Sequence, residues 1–395
     1  MRSLLLILLS LFTVNVYSQD LYFAGFSFIG NAKEDSNYPV AMEIYKHDPR
    51  VLNKKLIEVL KKLKRTDLNI ISDSQGAIKN GNAVALAYGL QKESWSSIHM
   101  EGGYQTKLEV YGAVYVFDYS DNEHKLLVNY PSASFLTVTS KQKLTDQEVR
   151  KYFENMYIPN KNVTPYQVTY NSANGDSVFD AWVNSLEQAK ISRAKKDLRL
   201  QIRNVVLEDA VLNQLPNNSN YIKDKGALIS ETARNFERNL SSNQNVPVLP
   251  YSIGRAIGSS MIARFSDTSF EIKIPPPDFV IDITVREFKK AFIDNKVYDG
   301  FVYGAFATVK LIQPDLNDIK LESKFNYKDE LKSPKGYKVS IEDDWPLWMG
   351  AQKKMFEILT KQISKRDDQE IFRITSTANI KDQLKNFETV INACR

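Results

Sequence analysis

Apolar residues recur along this chain in two rhythms, one helical and one alternating. Residues 21–29 read LYFAGFSFI, a short aromatic-rich run closed by Gly30 and Asn31, and predict a buried strand. Pro49 can open a helix, and Leu52, Leu56, Val59, Leu60 and Leu63 follow at helical spacing. Short strands are expected at 68–71 and 83–90. Residues 104–119 form a longer one, with Leu108, Val110, Val114 and Val116 on one parity and Tyr111, Tyr115 and Phe117 on the other. The polar residues 120–123 read as a hairpin turn, and 126–130 and 134–138 continue the sheet. Thr145 with Glu148 three places on predicts a capping box and a helix to about Met156.

Loops rich in Asn, Pro and Gly cover 158–176 and 213–224. Between and after them the pattern predicts helices over 177–196 and 227–240 and a strand over 198–207. From Val246 the rhythm restarts. A short apolar run at 246–251 precedes an expected helix at 256–265 and a strand at 270–274 stopped by Pro275, Pro276 and Pro277. Long β-segments follow at 279–292 and 297–313, with 321–327 pairing on. Asp344 is the expected N-cap of a helix running to about Ser364. A short strand at 371–374 and a helix at 380–393 end the pattern.

Val110-Tyr111-Gly112-Ala113 recurs as Val302-Tyr303-Gly304-Ala305, each inside a long β-segment and each followed by a shorter one ending in Asn-Tyr. With the order of elements, this predicts an α+β protein of two related modules, each a mainly antiparallel sheet with helices on one face. The expected division is a leader at 1–18, a first module at 19–157, a connecting region at 158–245 and a second module at 246–395.

Residues 246–327 resemble a domain shared by bacterial envelope accessory proteins: the curli secretion channel protein, the N-terminal domain of TolB and the outer-membrane activators of penicillin-binding proteins. The features that carry the resemblance are Val246-Pro247-Val248-Leu249-Pro250, the expected helix after Gly254 and the paired β-segments at 278–286 and 298–311. The resemblance implies an accessory role in the envelope. It assigns no site residue, and the lipid-bearing cysteine common in that group has no counterpart near Ser18.

The N-terminus agrees with such an address. Arg2 precedes an apolar run of about 11 residues, and Val16 and Ser18 suit cleavage before Gln19. The run is short of the roughly 20 residues a spanning helix needs, and no later segment is long and apolar enough. Asn162, Asn217 and Asn239 head Asn-x-Ser/Thr triplets, which matter only in a eukaryotic host.

The chain has 395 residues and a formal net charge of +5, too mild to argue for a nucleic-acid partner. One cysteine, Cys394, leaves no intrachain disulfide and no cysteine-based zinc site. His47, His99 and His124 are far apart. No cofactor or metal is expected, and no nucleotide-binding or nucleophile motif is present. Glu342-Asp343-Asp344 reads as helix-capping acid. His99 with Glu101, and His124 near Asp118 and Asp121, read as loop and turn residues.

Two surfaces are candidates for a partner. Lys54, Lys55, Lys61 and Lys62, with Lys64 and Arg65, face Glu58 alone and suit an anionic polymer or surface. Trp345 and Trp348 share one side of a helix, either as its core anchor or as an exposed patch for an envelope protein. The sequence thus points to an exported, non-catalytic binding or assembly factor of the bacterial envelope. The alternative is an exported hydrolase with a site built from scattered carboxylates.

Overall fold

The computed structural model describes residues 19–29, 37–71, 84–100, 102–118, 125–159, 168–170, 177–188, 199–215, 219, 221–246, 248–249, 251, 260–265, 268–273, 277–294, 296–336, 341 and 343–394. The expected leader, the turn holding His124, and Glu101, Asn162, Asn217 and Glu342 lie outside these residues.

The first module runs β1 (Gln19–Ile29), α1 (Pro39–His47), α2 (Pro49–Leu60), β2 (Leu68–Ile71), β3 (Val84–Met100), β4 (Gly103–Asp118), β5 (Lys125–Ser140), α3 (Asp146–Tyr157), β6 (Val168–Tyr170) and α4 (Val178–Gln188). Strands β2 and β3 lie parallel to β1, β3-β4-β5 form an antiparallel meander, and β6 adds to β5. Local chemistry fixes the helix starts. Asp48 accepts from the Arg50 N–H with Pro49 at the first helical position, and Thr145 and Glu148 make both bonds of the capping box.

The second module runs β7 (Leu200–Leu207), α5 (Asp209–Leu212), α6 (Lys225–Gln244) and β8 (Val248–Leu249). A hairpin of β9 (Ser260–Phe265) and β10 (Thr268–Lys273) then leaves it to join the first sheet, β9 pairing antiparallel with β1. The module resumes with β11 (Phe279–Asp294), β12 (Tyr298–Gln313), β13 (Asp318–Pro334), α7 (Trp345–Lys365), α8 (Asp368–Phe372) and α9 (Ile380–Cys394). Strand β7 is parallel to both β8 and β11, and β11-β12-β13 form an antiparallel meander.

The architecture is α+β, and the modules share one strand order, β2-β1-β3-β4-β5 in the first and β8-β7-β11-β12-β13 in the second. Their irregularities coincide as well. An extra residue sits at Ala24 against β3 and at Arg203 against β11. Another sits at Gln91 against β4 and at Arg286 against β12, and a third falls in β5 and β13 opposite the Val116–Phe117 and Leu311–Ile312 steps. β-Bulges of this kind set local bend and twist, so both sheets curl in the same places.

In the register these bulges define, Gly112 corresponds to Ala307 and Glu109 to Gly304. The repeated Val-Tyr-Gly-Ala segments therefore stand three residues apart and put their glycines on opposite faces. Gly112 faces the helices, where a Cβ would lie 2.3 Å from the buried Tyr88 hydroxyl. Gly304 faces away, and its Cβ would meet the Phe306 ring edge at 3.0 Å and the Lys289 Cβ at an ordinary 3.6 Å.

Leu86, Tyr88, Leu90, Leu108, Val110, Val114 and Val116 form the helix-side face of the first sheet, with Trp182 of α4 set 5.3 Å from the Tyr88 ring. The second core joins Ile281, Ile283, Val285, Ala305, Ala307, Val309 and Leu311 to α6, α7 and α9. Buried apolar area of this kind is the main stabilising term in both modules.

Several sequence expectations change. His99, read as a loop residue, lies in β3, and the expected loop at 158–176 holds β6. Residues 260–265 are strand, not helix, because the hairpin completes a distant sheet edge. Residues 371–372 belong to a short helix started by Asp367, whose carboxylate accepts from Gln369 and Glu370 N–H groups. The expected connecting region supplies β7 and α6, the first strand and the central helix of the second module, so that module does not begin at 246. Helix α7 lies over Tyr303 and Ala305; Val302 and Phe306 point to the other face.

Candidate functional site

Helix α6 is buried on nearly every side. Leu228, Ile229, Ala233, Phe236 and Leu240 belong to the second core. On its other side Glu231, Arg234, Asn235 and Arg238 press on the far face of the first sheet. Glu231 pairs with Lys92 of β3 at 3.1 Å and with Arg234 at 2.9 Å. The Arg238 guanidinium lies 4.0 Å from the centre of the Tyr111 ring and donates to the Asn235 side chain. The Asn129 amide donates to the Val248 carbonyl at 2.9 Å, tying β5 to β8.

Charges removed from water need partners, and here the partners come from different modules. Burial alone would raise the Glu231 carboxyl, but Lys92, Arg234 and Arg238 outweigh it and hold it down at about 2. Burial pushes Glu237 up to about 8 against the pull of the same two arginines. Burial also lowers the Lys92 ammonium. Tyr111 and Tyr221 are raised well above the usual phenol range, first by burial and then by Glu109.

Beside this interface a cleft of about 190 Å³ opens between the modules. Gln105, Lys107 and Glu109 of β4 form one wall, with Asn235 of α6 and Leu347 and Lys353 of α7 opposite. Glu109 is 4% exposed, takes Lys107 at 2.6 Å and accepts from the Tyr221 hydroxyl at 3.2 Å. Burial works against its charge, yet Lys107 keeps it below the ordinary carboxylate range. The ammonium groups of Lys107 and Lys353 each lie 4.6 Å from the centre of the Phe135 ring. Burial, then Arg238 and Lys107, bring Lys353 down to about 8.

The sequence candidates fall elsewhere. Lys54, Lys61 and Lys62 are exposed along and just beyond α2, Lys62 reaching Asp180 at 3.4 Å, and the half-buried Lys55 pairs with Glu58. Trp345 is 2% exposed and packs on Phe288 at 5.3 Å, which removes it from any partner surface. Trp348 is half-buried between Phe288 and Tyr303, its indole N–H donating to the Lys289 carbonyl at 3.0 Å. Asp344 precedes α7 but takes Lys290 and the Tyr303 hydroxyl; Asp343 receives the Trp345 N–H. The His99 ring stacks on Tyr104 at 4.5 Å. The Asn239 amide donates to the Asn235 and Lys353 carbonyls, so that triplet is engaged in packing.

Among the described residues no group of three or more His, Cys, Asp or Glu could hold a metal ion, and no helix is long and apolar enough to cross a membrane. The cleft residues were passed over in sequence because they lie far apart. The available signal was charge within elements of apolar rhythm: Lys107-x-Glu109 beside Leu108 and Val110 in a strand, and Lys353 on a helix with Ala351 and Met355.

No family model and no curated protein matches the chain. Among solved structures it is similar to a minor lipoprotein from Acinetobacter baumannii, at 8% identity and a TM-score of 0.21, over 45% of this chain and 96% of that one. It is also similar to an Ntf2-like protein involved in plasmid conjugation, at 7% identity and a TM-score of 0.11, over 65% and 81%. At TM-scores this low neither likeness bears on function.

Proposed function

We propose that this protein is an exported binding or assembly factor of the bacterial cell envelope, and that the cleft between its modules is its recognition site. The leader-like N-terminus and the resemblance of residues 246–327 to envelope accessory domains supply the address. The state of the cleft carboxylates carries the choice of binding over hydrolysis. A hydrolase built on carboxylates needs one acid kept protonated near neutral pH and one ionised. Among the described lining residues Glu109 is the carboxylate, and Lys107 keeps it ionised; Glu237, which burial keeps protonated, and Glu231 lie outside the lining, so no protonated acid faces the cleft at pH 7.

The test is recovery of tagged chain from its native host after fractionation. The expected result is protein in the exported fraction, starting at Gln19 and retained with an envelope component through crosslinking. Chain confined to the cytoplasm and starting at Met1 overturns the reading.

A further inference from the structure

The charges between the modules do not balance. Lys92, Lys107, Arg234, Arg238 and Lys353 bring five cationic groups to the interface and its cleft. Glu109, Glu231 and Glu237 oppose them, and burial holds Glu237 largely protonated at pH 7. Two of the three carboxylates are committed: Glu231 to Lys92 and Arg234, and Glu109 to Lys107 and Tyr221. Among the described residues no carboxylate pairs directly with Lys353, which feels Glu109 and Glu231 only at longer range and whose ammonium lies over the Phe135 ring; one Arg238 nitrogen and one oxygen each of Glu231 and Glu237 also lack a hydrogen-bond partner. Lys107 reaches water, its side chain 45% exposed, whereas burial bears on Lys353, and an anion entering from the cleft would offset that cost.

The cleft is placed to admit that charge. Lys107 and Lys353 reach the same ring from different modules, and Ile98, Leu347 and Met349 give the remaining lining an apolar part. Its volume is below the 300 Å³ or so typical of drug-sized sites. Resting on the reading of this cleft as a recognition site, we propose that it receives a small organic anion. Its carboxylate or phosphate head binds the ammonium groups of Lys107 and Lys353, and its short apolar body lies against Ile98, Leu347 and Met349.

The test is calorimetric titration of the full chain with hexanoate and with hexyl phosphate, which share a tail and differ in the head. Hexan-1-ol is the uncharged control. At least one anion is expected to bind at least tenfold tighter than the alcohol, and the better one identifies the acid. Lys353→Met should weaken it tenfold or more, Lys353→Arg should stay within about threefold of the parent, and Lys385→Met, at an exposed position of α9, should change nothing. Affinity should fall as pH rises through 8, the range in which Lys353 discharges beside Arg238, Lys107, Glu109 and Glu231. If Lys353→Met does not fold, Lys107→Met takes its place with the same expected loss. Equal binding of anions and alcohol, no binding of either anion, or a Lys353→Met chain of unchanged affinity overturns the proposal. Anion binding by a chain that stays in the cytoplasm would reject the envelope role and leave this site standing. An exported chain that ignores both anions would do the reverse.

Discussion

The two modules curl the same five strands at the same bulges, yet their far faces differ. In β4 every residue from 108 to 117 is buried, because α6 covers the side that the core does not. In β12 burial alternates, and the far side of the sheet carries Asp282, Thr284, Phe306, Thr308 and Lys310, none of them buried. Corresponding pairs show where the sequences part: Glu109 against Gly304, Tyr111 against Phe306, Tyr115 against Lys310. One sheet has become an internal layer and the other keeps a wet face, as antiparallel sheets can. The scaffold sets the curl, and the side chains of one parity decide whether a second layer is accepted.

The sharpest break of this comparison is Glu231→Ala. It strands Lys92 and Arg234 in the covered interface and should cost about 3–5 kcal/mol in denaturant unfolding. A loss under about 1 kcal/mol would mean the interface is open to water.

The helix-side faces can be compared at one corresponding position. Glu93 accepts from the Val40 and Ala41 N–H groups at 2.8 Å and from the Tyr157 hydroxyl at 2.9 Å, anchoring α1. Its counterpart in the second module is Phe288, which packs on both tryptophans of α7. Phe288→Ala should cost about 3–5 kcal/mol. It should also shift the fluorescence of Trp345 and Trp348, read with Trp95 and Trp182 replaced by Phe, a change Glu93→Ala should not produce in that background. If both variants leave the tryptophan signal alone, α7 is not seated as described.

The two glycines give a smaller contrast. Gly112→Ala should cost about 1–3 kcal/mol, because Tyr88 is fully buried and cannot retreat. Gly304→Ala should stay within about 0.5 kcal/mol, since the neighbouring Phe306 ring is half-exposed. Equal losses would return the two segments to equivalent positions and undo the three-residue offset.

Lys353→Met should stabilise the ligand-free chain by about 1–2 kcal/mol at pH 7, after allowance for solvent in the cleft. A lysine whose folded pKa is depressed binds fewer protons folded than unfolded between pH 8 and 10.5, so the parent gains stability as pH rises there. The advantage of the variant should therefore shrink over that range, read as a difference between two thermal unfolding series. The smallest effect belongs to the wet face. Asp282→Asn breaks a half-exposed pair with Arg203 and should cost less than about 1 kcal/mol, diminishing with salt.

Much of the fold was legible where the signal is local. The capping box at Thr145, the proline-led starts of α2 and α7 and the one-sided apolar parity of β4 needed no distant residue. What failed depended on pairing across the chain. Strand β9 has too few residues for a period to declare itself, and its pairing with β1, more than 200 residues upstream, and with β10 makes it strand. β7 could be read as a strand, but its membership of the second sheet depends on β11. The cleft was hidden for the same reason: Lys92 and Glu231 stand 139 residues apart, and Lys353 shares its helix with the more conspicuous Trp345 and Trp348. Tyr111, Tyr115 and Phe117 opposite Val110, Val114 and Val116 make both parities of β4 apolar, the local mark of a sheet covered on both faces.

Helix α6 also orders the chain's biogenesis. A polypeptide made or exported from its N-terminus presents β3, β4 and β5 long before residues 225–244 arrive to cover them, and β1 waits longer still for β9. Through that interval Tyr111, Tyr115 and Phe117 face water on a sheet with unmet edges, the condition under which strands recruit one another between molecules. The second module carries no such debt to the first, because the side of α6 that it leaves uncovered is the charged one. The first module thus waits on residues 225–244 for the layer that completes it.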